Sequence, residues 1–148
     1  TQFCAVGSSG KCATSPDGVT WTNQPGFTAA VSSELMYEVV WSGTQFCAVG
    51  NGGKCATSSD GVTWTRHQHL FQTVGSNTMN SVAWGKGKFC VVGVKAICAT
   101  SPDGETWTEQ PSLAMVVHLS QGYSMSSIAW DGTQFCAVGS IGRCATSS

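Results

Sequence analysis

Short apolar runs alternate with glycine-rich and polar turns along the whole chain, and the same order returns about every 43 residues. The first copy reads TQFCAVG-SSG-KCATSPDGVTWT from Thr1, and further copies begin at Thr44, Lys88 and Thr133. The copy that begins at Thr133 stops at CATSS. A fixed period of this length indicates one supersecondary unit that is copied and stacked.

Each copy predicts four short strands. Residues 3–6 form an apolar run that ends at a glycine, and residues 11–14 and 19–22 are two further strand segments. Between the last two lies Ser-Pro-Asp-Gly, in which proline presets one φ and glycine accepts a positive φ. A further run ends at a second tryptophan, as at residues 39–41, and no window of a dozen residues shows helical spacing of apolar positions. Four strands per repeat predict an all-β fold, a β-propeller of antiparallel blades.

The 148 residues predict one repeat domain with about three and a half blades. The units cover approximately residues 1–35 (a partial blade), 36–78, 79–124 and 125–148 (a second partial blade). This division leaves the first blade without an inner strand and the last without an outer strand. Because propellers usually have four to eight blades, we expect a homo-oligomer or the continuation of a longer repeat chain to cover both ends.

Eight cysteines fall into four pairs with a spacing of eight residues: Cys4 and Cys12, Cys47 and Cys55, Cys90 and Cys98, Cys136 and Cys144. Strands registered about Ser8 would place Cys4 opposite Cys12, which predicts one disulfide within each hairpin. The alternative is eight small buried hydrophobic side chains, and zinc is disfavoured because its sites use closer spacings. An even, repeated cysteine count favours an oxidising, extracellular location, either secreted or at the cell surface.

Composition narrows the class of partner. Only 10% of the residues are charged, the net charge is −1, and seven lysines and arginines form no basic stripe. Nucleic acid is therefore not an expected partner. No apolar run has the length of a membrane span, so no membrane insertion is expected, and the chain lacks nucleotide-binding motifs and predicts no cofactor.

The tryptophan-ended turn resembles a known family. The sequences of residues 15–21, 58–64 and 101–107 resemble the Asp-box, or bacterial neuraminidase repeat, of sialidase-like propellers and of the photosystem II assembly-factor propeller. The usual box is Ser-x-Asp-x-Gly-x-Thr-Trp, and this chain lacks the residue between Asp and Gly. The resemblance implies a structural hairpin between the third and fourth strands. Its structural residues would be Ser15, Asp17, Trp21, Ser58, Asp60, Trp64, Ser101, Asp103 and Trp107.

The residue inventory argues against sialidase activity, and we expect no enzyme. Sialidase-like sites use an arginine triad, a tyrosine–glutamate pair and an acidic proton donor, whereas this chain has only Arg66 and Arg143. Glycosidases need two carboxyl groups across the scissile bond, and nothing places Glu34 and Glu38 in one cleft. A glycoside hydrolase is the least favoured alternative, and no catalytic residues are assigned.

The copies diverge at residues 23–35, 66–78 and 109–124, which carry the chain from one blade to the next. Variable loops on a rigid frame often bind ligands, although these loops could simply cover the ends of the propeller. The candidate ligand residues are Phe27, Arg66, His67, His69, Phe71, His118 and Tyr123. His67 and His69 could share a strand face, but no third ligand accompanies them and no metal is expected.

Two functions remain open. The favoured prediction is a secreted, disulfide-stapled binding module that acts as a lectin or adhesin, because abundant hydroxyl and amide side chains suit glycans. The alternative is a structural subunit of an extracellular fibre or multimer that assembles through open blade edges.

Overall fold

The computed structural model describes residues 2–116 and 123–147, which form four antiparallel sheets in chain order. The first sheet contains β1 (Phe3–Val6), β2 (Cys12–Ser15) and β3 (Thr22–Asn23). The second contains β4 (Met36–Trp41), β5 (Phe46–Gly50), β6 (Cys55–Ser58) and β7 (Thr65–His67). The third contains β8 (Met79–Gly85), β9 (Lys88–Gly93), β10 (Cys98–Ser101) and β11 (Thr108–Glu109). The fourth contains β12 (Met125–Trp130), β13 (Phe135–Gly139) and β14 (Cys144–Ser147). Consecutive strands pair with one another, so each sheet is one blade, and the predicted all-β propeller fold is confirmed.

The connections between blades are partly helical, which the sequence did not predict. Three short helices follow the outer strands: α1 (Pro25–Val31), α2 (His69–Val74) and α3 (Ser112–Val116). In α1 and α2, apolar residues four positions apart are buried, namely Phe27 with Val31 and Leu70 with Val74. Helices of five to seven residues are too short to produce a periodic pattern over a dozen residues.

The outer strands begin later than the sequence predicted. We expected a strand over residues 19–22, but β3 begins at Thr22, and β7 and β11 begin at the equivalent Thr65 and Thr108. The intervening residues remain in the turn because their backbone N–H groups bond to the aspartate side chain rather than to the neighbouring strand.

The hydrophobic core lies between successive blades and not within any one of them. Cys47 and Val49 of the second blade contact Phe89 and Val91 of the third, and all four are at least 95% buried. The inner strands β4, β8 and β12 lie side by side. Their first residues, Met36, Met79 and Met125, are 2%, 0% and 1% exposed and fill the core.

The outward faces of the first and fourth blades expose side chains that are buried elsewhere. Phe3 is 57% exposed, whereas the equivalent Phe46 is 5% exposed. Val138 of the fourth blade is 44% exposed, whereas the equivalent Val49 is fully buried. Over the described part of the chain, no helix is long and apolar enough to cross a membrane.

Candidate functional site

Each complete turn after the third strand of a blade is built around one aspartate carboxylate. In the second blade, Oδ1 of Asp60 accepts the N–H groups of Val62 and Thr63 at 2.8 and 2.7 Å and the hydroxyl of Ser58 at 2.9 Å. The first and third blades repeat these bonds. The backbone bonds, led by that from Thr63, lower the pKa of Asp60 to about 2. The carboxylate is therefore ionised at neutral pH and holds the turn, which is not the state of a proton donor.

The tryptophan that ends the turn of the second and of the third blade packs between two blades. The indole Nε1 of Trp64 donates to the carbonyl of Gly61 at 3.0 Å, which folds the ring back over its own turn. The ring then meets Phe27 of α1 edge-to-face, with centroids 4.6 Å apart. Trp107 occupies the same place between the second and third blades and packs with Leu70 of α2. Both indoles are more than 90% buried, so neither is available to stack on a ligand.

Polar contacts from the preceding blade fix the same turn. Across the second and third blades, Nε2 of Gln45 donates to the backbone carbonyl of Asp103 at 2.8 Å. The backbone N–H of Trp107 donates to Nδ1 of His69 at 3.1 Å. The divergent connection therefore supplies a hydrogen-bond acceptor for the turn of the next blade. The repeat pattern does not predict this contact, because it joins a connection of one copy to the turn of another.

Three of the candidate ligand residues contact the frame of the propeller. Phe27 is fully buried against Trp64, and His69 accepts the backbone bond just described. The Nε2 atom of His67 lies 2.7 Å from Oγ1 of Thr57 on the adjacent strand. These residues lie in short helices and a strand that cover the core, and ligand binding by them stays a prediction.

The remaining described candidates lie on different elements of the chain. Arg66 on β7 is exposed, and Phe71 on α2 is 48% exposed. Tyr123 lies under the guanidinium of Arg143, with 5.7 Å between the guanidinium carbon and the ring centroid. His118 lies outside the described residues.

The cysteines meet in the predicted pairs, but as thiols in contact. The two sulfur atoms of each pair are 3.6 to 3.9 Å apart, and all eight cysteines are free. For the fully buried Cys47, the contact with Cys55 and burial raise the pKa well above its ordinary value, which favours the neutral thiol. The disulfide bonds themselves remain a prediction.

The register of the hairpins differs from the expected one. Cys4 is opposite Thr14, and Cys12 is opposite Val6, so the two cysteines are diagonal neighbours on one face. The predicted centre at Ser8 is wrong by one residue because the turn contains a three-residue helical segment, Ser8–Gly10, with Ser9 at φ 56°. Diagonal side chains start farther apart than directly opposed ones, which accounts for sulfurs in contact rather than at bonding distance.

The two glutamates that were considered for catalysis have separate environments. Oε2 of Glu38 accepts the backbone N–H of Val82 at 2.6 Å and the hydroxyl of Ser81, and that hydroxyl accepts the N–H of Ile128 at 3.0 Å. This chain of bonds ties the inner strands of three blades together. Glu34 lies 3.9 Å from the ammonium of Lys54. Within residues 2–116 and 123–147, no three histidine, cysteine, aspartate or glutamate side chains form a possible metal site.

A cavity of about 350 Å³ lies between the third and fourth blades. Its lining is largely apolar and includes Leu113 of α3, Phe135 and Ala137. Lys86 and Lys88 contribute the charged groups. The cavity is large enough for one aromatic side chain and open to an approaching segment.

The fold and the repeated turn define the class of this chain as a β-propeller. Its outer turns are held by an aspartate carboxylate, and the tryptophans that end the second and third turns pack between neighbouring blades. No protein-family model and no curated protein sequence matches the chain.

Solved structures match over nearly the whole chain. YCF48 from Cyanidioschyzon merolae is 16% identical, with a TM-score of 0.72 over 97% of this chain and 46% of that one. YCF48 bound to D1 peptide is 17% identical, with a TM-score of 0.74 over 98% of this chain and 46% of that one. PorZ, a surface component of the type-IX secretion system of Porphyromonas gingivalis, is 11% identical, with a TM-score of 0.68 over 99% of this chain and 19% of that one. The chain thus spans less than half the length of these proteins, and the likeness shows a shared fold.

Proposed function

We propose that this chain is a non-enzymatic binding module whose ligand is a segment of another protein. The observation that carries the proposal is the apolar cavity with two lysines, in a frame whose candidate catalytic carboxylates are bound to structural partners. An extended segment suits an opening between two sheets, because its backbone can pair with a strand while one side chain enters the cavity. The match to a YCF48 structure that contains a D1 peptide is compatible with this use of the fold.

The proposal includes an extracellular location, which rests on the four repeat-locked cysteine pairs. The glycan ligand expected from composition stays a separate prediction, as does assembly through open blade faces. A glycan site would need exposed aromatic and hydrogen-bonding groups gathered together, and the exposed candidates Arg66 and Phe71 lie on different elements, β7 and α2.

Two parallel binding screens test the ligand class. The folded chain is panned against a random peptide display library and applied, labelled, to a glycan array, and the reduced, alkylated and unfolded chain is the matched control. We expect enriched peptides with the folded chain only and no glycan signal. Glycan binding without peptide enrichment would overturn the proposal in favour of a lectin.

The absence of catalysis is tested separately with fluorogenic sialosides and other glycosides. We expect no turnover above blank. Turnover that is lost in the Glu38→Gln variant would contradict the non-enzymatic assignment, because it would give the half-buried Glu38 carboxylate a chemical role.

A further inference from the structure

The thiols of the second blade lie against the turn of the third blade. Cys47 of β5 and Cys55 of β6 are fully buried, and their sulfur atoms are 3.9 Å apart. The Sγ atom of Cys55 also donates to the backbone carbonyl oxygen of Gly104 at 3.5 Å, 49 residues further along the chain. The pair therefore has one contact within its own hairpin and a second contact with the next blade.

The same carbonyl oxygen orients the tryptophan that packs between these two blades. The indole Nε1 of Trp107 donates to the carbonyl of Gly104 at 3.1 Å, and Trp107 is 2% exposed. Because Cys55 donates its one proton to Gly104, the contact between the two sulfur atoms is made by the proton of Cys47. A buried chain of hydrogen bonds thus runs from Cys47 through Cys55 to the oxygen that also holds Trp107.

The turn of the third blade packs closely on the strands that carry the two thiols. A Cβ atom added at Gly104, where φ is 75°, would lie 2.7 Å from Cγ2 of Thr57 and 3.8 Å from Sγ of Cys47. The backbone of the turn therefore lies directly on β5 and β6, at a position that only glycine fits. Since close-packed interiors leave little free space, a change at the sulfur atoms is passed on to the turn.

The interface between the first and second blades lacks this contact and provides an internal comparison. Cys12 and Gly61 hold the repeat positions of Cys55 and Gly104. The carbonyl of Gly61 accepts the indole N–H of Trp64 at 3.0 Å, but among the described residues no cysteine donates to it. The redox state of the first cysteine pair should therefore leave the hydrogen bond of Trp64 unchanged.

We propose that Cys47 and Cys55 form a redox-sensitive latch between the second and third blades. The oxidant is a low-molecular-weight disulfide: exchange forms a bond between the two cysteine sulfurs, cleaves the small disulfide and leaves both protons on its two thiols. A disulfide has no S–H donor, so the carbonyl of Gly104 then keeps only the indole of Trp107. The dithiol state holds the interface more tightly than the disulfide state, which distinguishes a reducing from an oxidising compartment.

Exchange of the indole N–H of Trp107 with deuterated water, followed by NMR on the isotope-labelled chain, tests the latch. The reduced chain is kept in dithiothreitol, the oxidised chain is prepared with oxidised glutathione, and peptide mapping verifies the bond between Cys47 and Cys55. We expect oxidation to accelerate the exchange at Trp107 about two- to tenfold, because the shared carbonyl loses one hydrogen bond. Exchange at Trp64 should not change.

Two substitutions of Cys55 separate the loss of the donor from the formation of the disulfide. Cys55→Ser keeps a donor for Gly104 but forms no disulfide, so exchange at Trp107 should stay slow with and without oxidant. Cys55→Ala removes the donor, so exchange should be fast in both conditions. Cys12→Ala changes the same repeat position at the first interface and should leave Trp107 as in the wild type. Circular dichroism checks that each variant is folded, and the serine variant decides the outcome if the alanine variant does not fold.

Three results would overturn the latch. Equal acceleration at Trp64 and Trp107 would show that disulfides loosen the whole chain. Unchanged exchange at Trp107 in a chain with the verified Cys47–Cys55 bond, or a pair that stays reduced while the other pairs oxidise, would show that the interface does not respond to oxidation. A response to oxidant that survives in Cys55→Ser would place the redox-sensitive group elsewhere. Each of these results leaves the proposed ligand class standing.

Discussion

The side-chain amide of Gln45 donates a hydrogen bond to the backbone carbonyl of Asp103, 58 residues further along the chain and in the next blade. Gln2 makes the same bond to Asp60, also across 58 residues. Each glutamine directly precedes a strand, β1 or β5, and each aspartate lies in the turn of the following blade. The aspartate-centred turn therefore also forms a hydrogen bond with the preceding blade.

Gln45→Ala should lower the free energy of unfolding by about 0.5–1.5 kcal/mol, because it removes one hydrogen bond between blades. Gln134 holds the same repeat position in the fourth blade, and no following turn lies against it among the described residues, so Gln134→Ala is the matched control. Urea unfolding measures both variants. Equal losses would show that the glutamine acts within its own blade.

Trp107→Ala should destabilise the chain by about 3–5 kcal/mol, because it empties a packed position between two blades. Trp21→Ala should cost much less, since the equivalent ring in the first blade is 45% exposed. Denaturant unfolding followed by far-ultraviolet circular dichroism compares the two. A similar decrease in the free energy of unfolding for both variants would contradict the conclusion that Trp107 stabilises the fold by packing between two blades.

The stability of the fold should fall in acid because of the turn aspartates. Backbone bonds, led by those from Thr20 and Thr63, lower the pKa of Asp17 and Asp60 from 3.8 to about 2. A lowered folded-state pKa means that the stabilisation is complete above the unfolded value and is lost as the pH falls from about 4 towards 2.

The unfolding free energy of the wild type at pH 7, 4 and 2 measures this loss. Asp60→Asn keeps an acceptor oxygen but does not titrate, so its stability at pH 7 should be lower and its decline in acid shallower. An identical decline in the variant would show that other groups govern the acid transition.

Under oxidising conditions, each cysteine pair should form a disulfide within its own hairpin. The sulfur atoms are already in contact, so a small relative shift of the two adjacent strands brings these diagonal neighbours to bonding distance. The intact mass should fall by about 2 Da for each bond formed, and peptide mapping should join Cys4 to Cys12 and Cys47 to Cys55. An unchanged mass would establish the buried-thiol alternative, and pairing between blades would contradict the observed register.

Much of the architecture was predictable from the repeat alone. A period of about 43 residues with four strand segments predicts stacked units of four short strands. The repeated Asp-Gly step required a tight turn, because glycine accepts the positive φ of 77° and 72° found at Gly18 and Gly61. The methionines that begin the inner strands were recognisable as core because they recur at a fixed place in every unit.

Only the tertiary structure decided what lies between the copies. In sequence, the connections look like variable surface loops. In the structure, a short helix directs Phe27 and His69 towards the neighbouring blade, where Phe27 packs against Trp64 and His69 accepts a hydrogen bond from the backbone of Trp107. The register of the cysteine hairpins depended on the centre of the turn, which lies at Ser9 and not at Ser8, and side-chain alternation does not reveal this.

The sequence by itself determined the unit of this protein, because each blade is built from local turns and neighbouring strands that one copy encodes completely. The tertiary structure decided how the units join and where the cavity lies. The apolar faces of each blade are buried by the next blade, so the cavity beside Leu113 and Lys88 follows from the packing of two units and cannot be read from either one.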